Sequence, residues 1–533
     1  MYVRDGRRVF MDTLMQLILC LLWLLYRILL QLLTGDSAAG YWSLSCDILL
    51  LFVFITSGGF TQAVSRMILN TRSRHDSVNE FGIIRYAMLS SLGFGAVCSI
   101  ILYLLAPQIS FLLYGNALKS VSVSLRVMAP AVLCMSISGV LRGYFKGIGT
   151  IRPGRISQFF FVIVSFIGSL VSFAAVTGEE ASFLAGIGSF GILFGSIASM
   201  LLLLSVYTMY RRHLIRRARK DEIHTENNYS SFLRNFFAGF RPFIITTIGI
   251  SVFLLTDASL FAHFTGANGY DAALITSLYG ILTGKYLPML CIPMIILFYA
   301  MPAGIANTSD AYIHGESMRQ TASMQKMMRY TMIAAIPAAI SSAVAGDAIS
   351  GLVFGDFSIM SRKMLLAGAP LILLSAYAAA SCFMLTAIDR LKTVLINGLA
   401  AFALHLLFLI ILLSYSDMNI YAMLYSETIF AFTFAALNIL FLVRHTSFSH
   451  EYARMFLLPA GASAVTAMVL FLAFHGLIRA QFPGRLSALI SLLLSAFLYG
   501  VVLILMKGIT QEEMREYPLG KALAAIAVRL HLF

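Results

Sequence analysis

The chain has 533 residues, of which 59% are hydrophobic and 12% charged, with a net charge of +14 and a mean hydropathy of +0.86. A soluble domain is roughly 45–50% apolar and about 25% charged, so the composition excludes an ordinary soluble fold. The positive balance has to be tested against membrane topology before nucleic acid is considered.

A helix needs about 20 residues to cross the hydrocarbon. Apolar runs of that length recur along the chain and predict spans at 14–34, 43–70, 84–106, 121–145, 156–176, 182–210, 243–264, 273–305, 328–344, 364–387, 393–414, 418–442, 455–476 and 486–506. The expected fold class is therefore an all-α polytopic membrane protein of about fourteen transmembrane helices. The first run is one of a series and lacks a small-residue cleavage site, so it reads as a span and not as a signal peptide.

With both termini placed in the cytoplasm, 28 of the 38 Lys and Arg residues fall inside, 6 outside and 4 within spans (Arg27, Arg66, Arg142 and Lys285). Such asymmetry is what the positive-inside rule demands. Most of the net charge is thus topological, and no nucleic-acid partner is expected. The six cysteines all lie in apolar runs without metal-ligand spacing, and no metal or cofactor is expected. P-loop, G-x-S-x-G and H-E-x-x-H patterns are absent, so the chain is not expected to be an enzyme.

The longest polar stretch divides the chain into an expected N-terminal lobe (1–210), a cytoplasmic linker (211–240), a C-terminal lobe (241–445) and a final segment with two spans and a cytoplasmic tail (446–533). Internal similarity points the same way. LRVMAPAVLCMSISGVLRGYFKGIGTIRPG from Leu125 overlays MLLAGAPLILLSAYAAASCFMLTAIDRLK from Met364 when Ala129-Pro130 is matched to Ala369-Pro370, and TSGGFTQAVSRM from Thr56 more weakly echoes YAMPAGIANTSDA from Tyr299. Six spans separate the copies, so they share one orientation.

Charge inside a span is costly and is usually kept for a pathway. Arg27, amid large apolar residues of span one, is a candidate cation for a phosphate-bearing head group, which a guanidinium can grip with two parallel bonds. The alternative is an ion pair with Asp47 or Asp257. Lys285 lies between Gly284 and Pro288, which should loosen span eight; it either faces a transport site or snorkels outward. Asp257 either binds Na⁺ or H⁺ or neutralises one of these cations. His405 reads as a packed histidine, and Glu427 lies in the outer half of its span. Ser57-Gly58-Gly59, Pro293 and Pro302 mark further places where helices can bend.

YRILLQLLTGDSAAGYWSL from Tyr26, SGGFTQAVSRMI from Ser57, MAPAVLCMSISGVLRGYFKGIGTIRPGRISQ from Met128 and LYGILTGKYLPMLCIP from Leu278 together resemble the polysaccharide-flippase branch of the multidrug/oligosaccharidyl-lipid/polysaccharide exporter superfamily. Within it, the chain is similar to the stage V sporulation protein B group and to MurJ-type flippases. The resemblance implies a MATE-like fold of two six-helix lobes plus two C-terminal helices in the cytoplasmic membrane. It also implies transport of an undecaprenyl-diphosphate-linked saccharide by alternating access, with membrane lipids and cell-wall synthesis proteins as candidate partners. Arg27, Arg66 and Arg142 match basic positions of the family and, with Lys285, form the expected substrate-binding set; Arg142, near the inner surface, reads equally as a topological anchor. Asp257 resembles an acidic residue linked to sodium binding in some relatives, and Asn397 stands where an aspartate would complete such a site. A position near Cys20 lacks a basic residue common in the family, and Phe159-Phe160-Phe161 replace its usual glutamate. The rivals are an ion-coupled multidrug or metabolite antiporter of the same fold and a membrane scaffold of a cell-wall synthesis complex.

Overall fold

The computed structural model describes residues 6–74, 76–116, 118–175, 180–218, 228–416, 418–509 and 511. Among them every regular element is helical: α1 (Gly6–Thr34), α2 (Asp36–Val53), α3 (Gly59–Ser73), α4 (Ser77–Leu104), α5 (Ala106–Tyr114), α6 (Val121–Gly147), α7 (Arg152–Ala175), α8 (Ala181–Ala218), α9 (Tyr229–Ala267), α10 (Ala272–Gly280), α11 (Leu287–Ala300), α12 (Pro302–Ile313), α13 (Ser317–Val344), α14 (Gly346–Phe354), α15 (Ile359–Ala387), α16 (Leu391–Tyr415), α17 (Ile420–His445), α18 (Leu458–Arg479) and α19 (Gly484–Leu505). Thirteen helical stretches among the described residues are long and apolar enough to cross a membrane. Helix α9, 39 residues long, covers the seventh expected span. The chain is a multi-pass membrane protein.

Spans two and eight are not single uniform helices. Between α2 and α3 the chain runs as a π-helical turn over Phe54–Gly58, and between α10 and α11 over Ile281–Tyr286. These are the Ser57-Gly58-Gly59 and Gly284-Lys285 neighbourhoods, where small residues tolerate the wider turn and Pro288 follows the second. π-Turns concentrate at functional sites. The eighth expected span, 273–305, also ends early: α11 stops at Ala300, and α12 starts at Pro302, whose missing N–H suits a helix start.

Element boundaries recur along the chain. Helix α13 begins and ends 240 residues after α4, and the short α14 begins and ends 240 residues after α5. Both short helices stop at a glycine with positive φ, Gly115 at 80° and Gly355 at 72°, which glycine adopts without a Cβ penalty. That offset is also the separation of Ala129-Pro130 from Ala369-Pro370.

The chain packs as two compact units, 1–284 and 285–533. The core of the first joins Phe60, Val64 and Ile68 of α3, Ile84 of α4, Leu141 and Phe145 of α6, Leu203 of α8, and Phe232, Phe236 and Phe240 of α9. The three phenylalanines explain why the second half of the expected 211–240 linker is helical: four residues apart, they form one apolar stripe and enter this core, with Phe236 4.8 Å from the Phe60 ring. Residues 219–227 of that linker, and the tail from 512 with Arg515, Lys521 and Arg529, lie outside the described residues, as does Arg4. The second unit is rich in methionine, with Met301, Met324, Met328, Met332, Met384 and Met455 in one cluster. In this unit α18 and α19 pack beside α13 and α14, and the Tyr499 hydroxyl donates to the Ile333 carbonyl at 2.6 Å.

Candidate functional site

Helix α1 places Arg27 beside an aromatic shelf. Tyr26 lies 3.0 Å from Ser169 of α7 through its hydroxyl and packs edge-on to Trp42 with centroids 5.8 Å apart. The Arg27 guanidinium carbon is 5.8 Å from the Trp42 ring centroid, within reach of a cation–π attraction. Its Nη2 donates to Ser43 Oγ at 3.3 Å, while its Nε is buried without a hydrogen-bond partner. None of the ion pairs among the described residues involves Arg27. The expected alternative, a direct pair with Asp47 or Asp257, is therefore not formed.

The two carboxylates are nevertheless close. Asp47 Oδ2 accepts a 2.6 Å hydrogen bond from the Tyr279 hydroxyl of α10, and it feels the charges of both Arg27 and Asp257. Asp257 of α9 is only 3% exposed. Thr283, in the second π-turn, donates to Ser43 at 3.0 Å. Arg27, Ser43, Asp47, Asp257, Tyr279 and Thr283 thus form one polar cluster within the first unit.

Very close backbone packing holds that cluster. A Cβ added to Gly40 would stand 1.9 Å from the Thr276 carbonyl oxygen, and one on Gly280 would stand 1.9 Å from that of Asp36. Gln31 Nε2 donates to Asp36 at 2.7 Å, its Oε1 lies against Gly284, and Ser37 is 2.7 Å from Thr276. Thr276, Gly280 and Gly284 repeat every four residues, the small-residue spacing that lets membrane helices approach. Sequence reasoning missed this stripe and Tyr279; the signal was T-x-x-x-G-x-x-x-G in TSLYGILTG.

Arg66 and Arg142 are not gathered with Arg27. Twenty-three residues of α2 and α3 separate Arg66 from Ser43, about 35 Å at 1.5 Å per residue. Arg66 is exposed on α3, and its charge faces that of Lys146, whose Nζ donates to Gln62 at 3.0 Å. Arg142 is half-buried on α6 with its Nε lacking a partner, and its aliphatic stem approaches Gly154.

In the second unit, Lys285 is half-buried and its charge acts on Asp356, which lies between α14 and α15. Burial works to raise the Asp356 carboxyl, but hydrogen bonds from Ser361 and Ser358 and the Lys285 charge outweigh it, so the group sits below the usual carboxylate range. The adjacent Tyr286 hydroxyl is 3.0 Å from Ser361, so Lys285 stands near the start of α15. The Asn397 amide donates to Asn438 at 2.9 Å, and Asn438 donates to Ser381 at 3.3 Å. His405 is fully buried between the rings of Phe402 and Phe430. Among the described residues no three His, Cys, Asp or Glu groups gather as metal ligands.

A family model described as "Polysaccharide biosynthesis protein" matches residues 6–305, more than half of the chain. The chain belongs to the polysaccharide biosynthesis protein family. This family member is 20% identical over 403 residues to the lipid II flippase MurJ of Bacillus subtilis (strain 168), covering 73% of its own length and 74% of the relative. Among solved structures it resembles lipid II flippase MurJ in an inward closed conformation, with a TM-score of 0.59 and 16% identity over 91% of this chain and 97% of the other. It also resembles an inward-facing multidrug resistance MATE family transporter of the MOP superfamily, with a TM-score of 0.61 and 13% identity over 80% and 94%. At these identities the structures establish the MATE-like fold and nothing finer. The matched relatives are transporters, not catalysts.

Proposed function

We propose that this protein is a flippase that moves an undecaprenyl-diphosphate-linked saccharide, lipid II or a related polysaccharide precursor, across the cytoplasmic membrane by alternating access. Arg27 carries the reading. A guanidinium well inside a span, with a buried Nε left unbonded and no carboxylate paired to it, is a cation prepared for an anionic head group. Arg27 is half-buried and held by the Trp42 ring, Ser43 and the field of Asp47, and a passing diphosphate adds charge-assisted bonds to it.

In this reading the lobes are 1–210 and 241–445, both termini are cytoplasmic, and 446–533 adds two spans and a tail. The contact of α2 with α10 lies towards the outer ends of spans two and eight and closes the external side. Arg66 and Arg142 meet the head group at the inner side, Arg27 holds it deeper, and Lys285, whose charge Asp356 shares, completes the cation set. Asp257 couples transport to Na⁺ or H⁺ through its field on Asp47 and hence on Arg27. Asn397 is the candidate second ion-coupling position, with its amide committed to Asn438. Membrane lipids and cell-wall synthesis proteins are the expected partners.

Depletion of the protein in cells, with precursor accessibility measured at the outer leaflet, tests the proposal. Translocation should fall as the protein is lost. Undiminished translocation in depleted cells lacking a second flippase would remove it.

A further inference from the structure

A cavity of about 210 Å³ opens where the C-terminal end of α12, the first turn of α13, the turn joining α15 to α16 and the end of α17 meet. All four parts belong to the second unit and, by the Lys and Arg distribution, lie at the cytoplasmic surface. The lining includes Ser317, Gln320, Thr321, Arg390, His445 and Ser447, and no carboxylate is part of it.

These groups make an anion-accepting wall. Arg390 is exposed and enters none of the ion pairs among the described residues; its guanidinium carbon sits 6.0 Å from the Phe441 ring centroid, a contact that leaves its charge unneutralised. His445 stacks on the same ring at 4.0 Å, and its Nδ1 is 3.0 Å from the Phe441 carbonyl. A carbonyl only accepts, so Nδ1 carries the hydrogen and Nε2 of the neutral ring is an acceptor, open to the hydroxyl of a singly protonated phosphate. Helix α13 starts without a side-chain cap; the Ser317 N–H is taken by the Gly315 carbonyl at 3.1 Å, and the positive end of the helix dipole lies beside Ser317, Gln320 and Thr321. Of the nearby acids, Asp310 and Glu316 are taken up by Arg319 at 3.2 and 3.0 Å, and Asp389, exposed beside Arg390 in the chain, is not part of the lining. One guanidinium, an imidazole, an amide, the hydroxyls of Ser317, Thr321 and Ser447 among others, and a helix N-terminus around a space of this size match a tetrahedral phosphate.

We propose that this cavity binds a phosphate group at the cytoplasmic face, held by Arg390 and the first turn of α13, at a site distinct from the Arg27 cluster. The phosphate comes either from an anionic lipid head group of the inner leaflet or from a free phosphate compound. The site does not depend on the flippase reading; it uses only the orientation of the chain.

The purified full-length protein in detergent should be titrated with dioctanoyl phosphatidylglycerol in one arm and with inorganic phosphate in the other, with thermal stability as the readout. Stabilisation by the lipid alone assigns the head group; stabilisation by both assigns phosphate itself. In either case Arg390→Gln should weaken the apparent affinity by about tenfold, as expected for one lost charge-assisted contact of about 1.4 kcal/mol. Arg444→Gln, which removes an equal charge in the last turn of α17 beside His445 but outside the lining, should leave the affinity unchanged. If Arg390→Gln does not fold, Thr321→Val with Ser447→Ala takes its place and should weaken binding at least threefold. Equal loss from Arg390→Gln and Arg444→Gln, no loss from either, or no stabilisation by either probe would overturn the proposal.

Discussion

In the proposed mechanism the contact of α2 with α10 closes the external side, and its glycines offer a quantitative test. In Gly40→Ala the new Cβ would begin 1.9 Å from the Thr276 carbonyl oxygen, an atom of the α10 backbone that cannot rotate aside. Side-chain carbons do not approach closer than 3.0 Å, so the helices must separate by at least 1.1 Å. Overpacking of that kind costs about 1–3 kcal/mol, which shifts an open–closed balance by about 5- to 150-fold. The assay is labelling of a cysteine placed at the buried Ala38, in a background without the six native cysteines, by an impermeant maleimide added outside intact cells. Gly40→Ala should speed labelling by a factor within that range and slow transport out of the closed state. Gly82→Ala is the control, since nothing lies within 4 Å of its added Cβ; it should label like the parent. Unchanged labelling in Gly40→Ala would refute the idea that this backbone contact keeps the external side shut.

Three further outcomes are expected. Asp47→Asn removes the charge from the bond donated by Tyr279 at 2.6 Å; thermal unfolding should show a loss of up to about 1.5 kcal/mol, the difference between charged and neutral hydrogen bonds, and labelling at Ala38 should rise. Asn438→Ala leaves the Asn397 amide without its acceptor within the second unit, so stability should fall by about 1–3 kcal/mol by chemical denaturation. Burial holds His450, in the turn after α17, below its ordinary value of 6.5, and its Nε2 is 2.6 Å from the Tyr377 hydroxyl. The folded state therefore favours the neutral ring: its contribution to stability is complete above about pH 6.5 and is lost as pH falls through the lower folded value. The unfolding temperature should drop on going from neutral to mildly acidic buffer, and His450→Asn should flatten that dependence.

The spans were legible because twenty-residue apolar runs have no other home. The 240-residue recurrence was visible only around Ala129-Pro130 and Ala369-Pro370, since apolar helices tolerate exchange of one aliphatic side chain for another while helix ends and the turns at Gly115 and Gly355 keep their register. The bends at Gly58 and Gly284 were expected, but not their π-helical form, which depends on how neighbouring helices pack. The start of α9 was hidden because Phe232, Phe236 and Phe240 are interspersed with Arg234, Asn235 and Arg241, and a polar average masks an apolar stripe. At the site, Arg27 stood out because a cation in hydrocarbon is anomalous on its face. Tyr279 and Thr283 did not, because a hydroxyl on a membrane helix is ordinary until its partner is known, and Asp47 and Ser43 lie more than two hundred residues away in the chain.

The most direct test is translocation of a lipid-diphosphate-linked saccharide by the purified protein in vesicles, comparing the parent with Arg27→Ala and Arg27→Lys at equal incorporation. Arg27→Ala should lose transport while unfolding at a similar temperature, and Arg27→Lys should retain part of it, since the charge survives without the guanidinium fork. Full transport by Arg27→Ala would contradict the account.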